Sequence, residues 1–190
     1  MFDFVKKLML SREINFDKGK ILLLNEPICL MPMKTIVDII DLTKNDQKNI
    51  LYSAGKISGQ DWFVKIKTRF YAKKMPIKDV IEWGNNIIAM AGYGVSILEK
   101  FDEQNKEIVF RLENSTVCEL IGRTAKPLDH LYRGYVAGAG TVMFNEECEA
   151  LEIKCKATGS PYCEFLVKPA GMFDNKNPLF KEQVGQQKKM

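Results

Sequence analysis

Residues 150–167, "ALEIKCKATGSPYCEFLV", read as two short apolar strands joined by a tight Gly-Ser-Pro turn. Cys155 and Cys163 sit eight positions apart across that turn, and Glu152 lies three positions before the first. A metal site, a disulfide and a plain hairpin with two buried thiols all satisfy the spacing, which is looser than a C-x2-C zinc knuckle. In an ideal strand, residues three apart face opposite sides. Glu152 and Cys155 can therefore share a metal only where a bulge or the strand end turns one of them.

The pattern extends outward from this hairpin, whose strands are expected near Cys148–Lys156 and Tyr162–Lys168. Upstream, "VSILEKF" and "EIVFRLEN" read as two further strands, with Ile108, Phe110 and Leu112 alternating against Val109 and Arg111. "STVCELIGR" is compatible with a strand continuation or a short helical turn. A helix is expected from about Leu128 to Phe144, with Gly134 and Gly138 on one face. "GKILLLNEPICLMP" reads as a hairpin around Asn25-Glu26-Pro27. Three helices follow: "MKTIVDIIDL" with Ile36, Ile39, Ile40 and Leu42 on one face, a kinked or broken helix from about Asp46 to Ala72 with Thr43–Asp46 capping it, and one that starts at Pro76. Strands joined by tight turns and helices gathered in blocks predict an α+β domain, an antiparallel sheet of hairpins packed against helices. The expected organisation is a lead-in over residues 1–18, one domain over 19–170 and a flexible polar tail over 171–190.

The chain has 190 residues, enough for one substantial core, and a net charge of +4 concentrated in part in the tail. Basic residues do not cluster with stacking aromatics, so no nucleic-acid partner is expected. No apolar run reaches the roughly 18 residues of a membrane span, and "MFDFVKKLML" lacks a signal-peptide pattern. The expectation is a cytoplasmic protein whose five cysteines are thiols or metal ligands.

Hydrolase, P-loop, metalloprotease and dinucleotide motifs are absent from the sequence. His130 is its one histidine. It reads as part of a first-turn pair with the helix-capping Asp129, or as a metal ligand with it. Cys118 and Cys148 carry no motif and read as core thiols. Trp62, Phe63, Trp83, Met90 and Tyr93 fall in the helical half, where aromatics and Met fill a core or line an apolar cavity.

"LDHLYRGYVAGAGTVMF" followed by the opening stretch resembles the 4-vinyl reductase domain family. That family has an R-G-Y/F-x-x-G helix and then an E-x-x-C-x-A-x-G-x-x-x-C-x-F hairpin. Gly134, Tyr135, Gly138, Glu152, Cys155, Ala157, Gly159, Cys163 and Phe165 carry the match, which is densest over about 105–168. "ILYSAGKISG", with Gly55 and Gly59, resembles the upstream part. The resemblance implies a fold shared with vesicle-tethering TRAPP subunits and phenol-sensing domains, and a hydrophobic or aromatic ligand. Trp62, Phe63, Trp83, Met90 and Tyr135 are the expected ligand-binding residues.

The resemblance also implies a structural zinc held by three cysteines and a glutamate. Glu152, Cys155 and Cys163 match three of those ligands. The remaining cysteine would stand five positions before Gly134, where this chain has Asp129; Asp129 or His130 is then its expected replacement. A non-catalytic sensor is the leading expectation, with output through a homodimer or a protein partner because no DNA-binding or ATPase module is read. An accessory to a tetrapyrrole vinyl reductase and a dimeric assembly module are the alternatives.

Overall fold

The computed structural model describes residues 2–43, 47–71 and 75–184. Helix α1 (Phe2–Leu10) leads into β1 (Ile14–Asp17), β2 (Lys20–Leu23) and β3 (Glu26–Ile28), an antiparallel meander in the order β1-β2-β3. The expected lead-in is therefore part of the body. Leu8 of α1 is fully buried, and Ile14–Asp17 supplies a strand. Next come α2 (Met33–Leu42), α3 (Gln47–Tyr71) and α4 (Ile77–Met90). Pro32 and Pro76 stand immediately before α2 and α4, where a missing N–H costs no helical bond. Thr43 closes α2 by donating its hydroxyl to the Ile39 carbonyl at 2.7 Å. The rest of the expected capping turn, 44–46, and the expected end of α3 near residue 72 lie outside the described residues. Between those points α3 is one unbroken helix of 25 residues, not a kinked one. Leu42, expected on the buried face of α2, is exposed.

The second half is built on β4 (Val95–Asp102), β5 (Glu107–Glu113), α5 (Thr116–Ile121), α6 (His130–Phe144), β6 (Cys148–Lys154), β7 (Cys163–Pro169) and α7 (Pro178–Gln183). The strands form an antiparallel sheet in the order β4-β5-β7-β6. Ile108, Phe110 and Leu112 of β5 point into the core and Val109 and Arg111 are half-buried, the expected period of two. The ambiguous "STVCELI" is helical. Ser115 caps α5 by accepting the Cys118 N–H at 3.3 Å, and Gly122 at φ 79° ends it.

The expected polar tail is folded as far as α7. The Phe180 ring stacks on Phe173. The Gln183 amide accepts the Glu152 N–H at 2.8 Å and donates to the Glu152 carbonyl at 3.0 Å, so it stands in for a neighbouring strand at the edge of β6.

Helices α3 and α6 cross with their backbones in contact. A Cβ on Gly55 or Gly59 of α3 would come well under 3.0 Å from the carbonyl oxygen of Leu131 or Tyr135, and one on Gly134 or Gly138 of α6 would meet Tyr52 or Lys56 in the same way. Four glycines, two per helix and four apart, thus let the helices approach closely enough for α6 to fit between α3 and the second sheet. Gly138→Ala or Gly59→Ala should lower unfolding free energy by at least about 2 kcal/mol, the range for overpacking a tight site. Gly84→Ala is the control, because nothing lies within 4 Å of its Cβ position. It should be neutral or raise stability by up to about 1 kcal/mol through helix propensity. Urea midpoints at unchanged slope would measure both.

Candidate functional site

Five acidic side chains converge behind the N-terminus of α6. The Cys118 sulfur lies 3.9 Å from that of Cys155 and 3.7 Å from that of Cys163. Asp129, which caps α6, brings Oδ2 to 3.4 Å from the sulfurs of both Cys118 and Cys163, and accepts a 2.9 Å bond from the Ser115 hydroxyl. Glu152 Oε2 accepts the Asp129 backbone N–H at 3.2 Å, whereas Glu152 Oε1 is buried with no hydrogen-bond partner. The strand problem raised by Glu152 and Cys155 is solved by a bulge. Glu152 pairs with Phe165 and Lys154 with Glu164, leaving Ile153 as the extra residue, and Cys155 lies past the strand end. The turn then folds back: the Cys155 carbonyl accepts from Thr158 and Ser160, and the Lys156 N–H donates to the Cys163 sulfur at 3.3 Å.

All five side chains are buried. Hydrogen bonds within the thiol triad push Cys118 and Cys163 up as donors and pull Cys155 down as the shared acceptor. Burial raises the Asp129 and Glu152 carboxyls. A buried set of this kind must keep protons or enclose a cation. Its dimensions suit a cation. Tetrahedral metal–sulfur bonds of about 2.3 Å put ligand sulfurs about 3.8 Å apart, the spacing seen from Cys118 to its two partners. The donor atoms of Cys118, Cys155 and Cys163 lie within 4.8 Å of one another, as do those of Asp129, Glu152 and Cys163, so the cluster can hold a metal ion.

Of the residues singled out in the sequence, Asp129, Glu152, Cys155 and Cys163 meet here. His130 is buried in the first turn of α6 and belongs to neither group of mutually close donors among the described residues. Cys118, read as a motifless core thiol, supplies the third sulfur. Its sequence signal is slight: a Ser-x-x-Cys helix cap within an ambiguous segment. Cys148, the other such thiol, is buried outside the cluster.

One turn further along α6, Arg133 is fully buried. It donates to the Ala150 carbonyl at 3.0 Å and stacks 3.9 Å above the Tyr52 ring. Burial lowers its pKa, opposed by Tyr52, Glu152 and Glu149. Tyr52 donates its hydroxyl to Glu149, which also takes Lys56 at 2.8 Å. This network ties α3, α6 and β6 together beside the cluster.

The second feature is a cavity of about 780 Å³. The first sheet, α2, α3, α4 and α6 enclose it, with Phe16, Ile36, Trp62, Met90, Tyr93 and Tyr135 at its wall. Trp62, Met90 and Tyr135 are three of the five residues expected at a ligand. Phe63 instead borders a small void between α3, α4 and α6, and Trp83 packs edge-on against Phe4. Tyr132, on α6 between the cluster and the cavity, lines the cavity, shares a 2.6 Å hydrogen bond with Ser96 and sets its ring against Phe165. No helix among the described residues is long and apolar enough to cross a membrane.

Residues 108–169 match the family model of the 4-vinyl reductase domain. An uncharacterised protein of Methanocaldococcus jannaschii is 27% identical over 119 residues, 63% of each chain, so this chain spans under two thirds of that relative. Among solved structures, the phenol-responsive sensory domain of the transcription activator PoxR, with phenol, superposes with a TM-score of 0.75 over 92% of both chains at 18% identity. A vinyl-4-reductase family protein from M. jannaschii gives 0.51 over 74% of this chain and 83% of its own, at 21% identity. A trafficking protein particle complex subunit 3 from Naegleria fowleri, covalently bound to palmitic acid, gives 0.52 over 71% and 90%, at 14% identity. The bulged hairpin, the glycine-faced α6 and the antiparallel sheet they complete are thus those of a 4-vinyl reductase domain, which this chain carries at residues 108–169, in a fold it shares with a phenol-sensing domain and a TRAPP subunit.

Proposed function

We propose that this protein is a non-catalytic sensor domain that binds a small apolar molecule in the cavity between its first sheet and its helices. The observation that carries the reading is the cavity itself. Its volume falls within the usual range for ligand sites, and its wall is mostly aliphatic and aromatic. The PoxR domain with phenol and the TRAPP subunit with palmitic acid lend support, since each holds a small organic molecule on this fold. Organic extraction of the purified protein, followed by mass spectrometry, should recover a bound molecule. Ile36→Trp, which fills the cavity from α2, should abolish that recovery at an unchanged fold. An empty extract, with no shift in melting temperature across apolar and phenolic compounds, would overturn the reading.

The Cys118, Cys155 and Cys163 thiolates and the Glu152 carboxylate fit a structural zinc site, with Asp129 held beside them by Ser115. Glu152 Oε1 is the orphaned buried atom that such an ion would satisfy. When bound, zinc would cross-link α5 to the β6–β7 hairpin and to the start of α6. The purified protein should contain one zinc per chain. Cys118→Ser should lose it and Cys148→Ser should retain it. Chelation should lower the melting temperature by at least about 10 °C, since structural zinc contributes about 10 kcal/mol or more and 1 kcal/mol is worth about 2–4 °C at this size. Zinc retained by Cys118→Ser would remove that residue from the ligand set.

Self-association is a second reading, favoured by one observation. Ile50, Ile57 and Val64 recur every seven residues on one face of α3, and each is about half exposed. Light scattering should find a dimer that Ile57→Glu converts to monomer; a monomeric parent protein excludes this reading.

A further inference from the structure

The chemistry of the cavity wall narrows the ligand further than apolarity alone, on the reading that this cavity is the binding site. At about 30 Å³ per non-hydrogen atom of a condensed phase, 780 Å³ holds roughly 25 such atoms, and a single phenol ring fills about a quarter of it. Among the described residues that line it, none is Asp, Glu, Lys, Arg or His. Its polar groups are Ser58, the Cys29 thiol and the hydroxyls of Tyr93, Tyr132 and Tyr135. Ser96 already engages the Tyr132 hydroxyl. Burial pushes Tyr93 and Tyr135 up to about 12, so both are neutral hydrogen-bonding groups at pH 7. A carboxylate or phosphate carried inside would find no cation in the wall and would bear its full desolvation cost. A route in exists, because Phe16, Leu30 and Met31 line the cavity and are also exposed to solvent.

We propose that the cavity takes an uncharged lipid of roughly 20–25 non-hydrogen atoms, long-chain or polycyclic, whose hydroxyl or carbonyl oxygen is met by Tyr93 or Tyr135. The volume sets the size, the uncharged wall excludes anionic head groups, and the tyrosines supply the polar contact. Such a ligand differs from a single-ring phenol in size and from a free fatty acid in charge.

Two features of the chain report occupancy without a label. Cys29 is exposed and lines the cavity, whereas the other four cysteines are buried. Trp62 stands at the wall, whereas Trp83 does not.

The test uses the full chain and two matched pairs, retinol with retinoic acid and hexadecanol with palmitate, alongside phenol. Within each pair the skeleton is shared and the charge differs. At least one alcohol should quench Trp62 emission at micromolar concentration and slow iodoacetamide alkylation of Cys29 about fivefold or more. Its acid should bind at least about tenfold more weakly, and phenol should require millimolar concentration. Changing Tyr93 and Tyr135 together to Phe should weaken the alcohol about tenfold, and the melting temperature checks that the fold is kept. An acid that binds as tightly as its alcohol, or phenol that binds as tightly as either lipid, would overturn the proposed class while leaving ligand binding in place. If no compound in the panel binds, the class is overturned. If the organic extract is empty as well, the ligand-binding reading fails with it.

Discussion

Where α3 and α6 cross, the carbonyl oxygens of one helix occupy the space that side chains of the other would fill. Most helix pairs are held about 8–10 Å apart by their side chains; here glycine on both sides removes that spacer. The consequences run in two directions. Toward the second sheet, α6 is pressed against β6 and β7, which brings Asp129 to the hairpin that carries Glu152, Cys155 and Cys163. Toward the first sheet, the same helix turns Leu131, Tyr132 and Tyr135 into the cavity. Cluster and cavity are thus positioned by one close contact of two backbones.

That closeness also concentrates charge in the interior. Arg133 leaves the glycine-lined stretch of α6 with no path to water, and its Nε and Nη2 have no hydrogen-bond partner among the described residues. An isolated guanidinium would be costly there. The Tyr52 ring face, the Ala150 carbonyl and the nearby charges of Glu149 and Glu152 offset the cost. Glu152 thus faces a fixed cation on one side and three thiols on the other. Burial alone would keep its carboxyl protonated. A cation among the thiols, together with Arg133, would favour the ionised form instead. The network around Arg133 therefore bears on the cluster electrostatically, although Arg133 donates no bond to it.

The hairpin, the antiparallel sheet and the glycine face of α6 were legible because each depends on local periodicity or on turn chemistry. The α+β class follows from the order of such elements. Three of the clustered ligands were legible as a spaced motif, and so was the need for a bulge, since residues three apart cannot otherwise converge. Cys118 was not. It lies 37 residues before Cys155, on a six-residue helix whose only local mark is the Ser115 cap. Its place in the cluster depends on how α5 packs, which no local pattern encodes. The wall of the cavity was legible only in part for a related reason. Aromatic residues in neighbouring turns look alike in sequence, yet Trp62 faces the cavity while Phe63, next in the chain, faces a different void. The strand at Ile14–Asp17 is not legible because its pairing partner, β2, already reads as half of a two-stranded hairpin.

The shared role of α6 constrains where the molecule can yield to a ligand. To move along its axis, α6 would have to slide glycine positions past the Tyr52 and Lys56 carbonyls, where no side chain cushions the contact. To move away from the sheet, it would have to separate Asp129 from Glu152 and the thiols, and Tyr132 from Ser96 and Phe165. Neither displacement is cheap. The opposite walls are different: the first sheet is a short meander, and α2 packs through a small separate core around Ile40, Leu51 and Val117. Phe16, Leu30 and Met31 on that side are already open to solvent. The fold thus divides the cavity into a fixed wall, set by glycine and cysteine, and a yielding wall built from the N-terminal sheet and α2. A ligand that needs room finds it on the yielding side, and a signal that reports occupancy is carried by the surface of that same side.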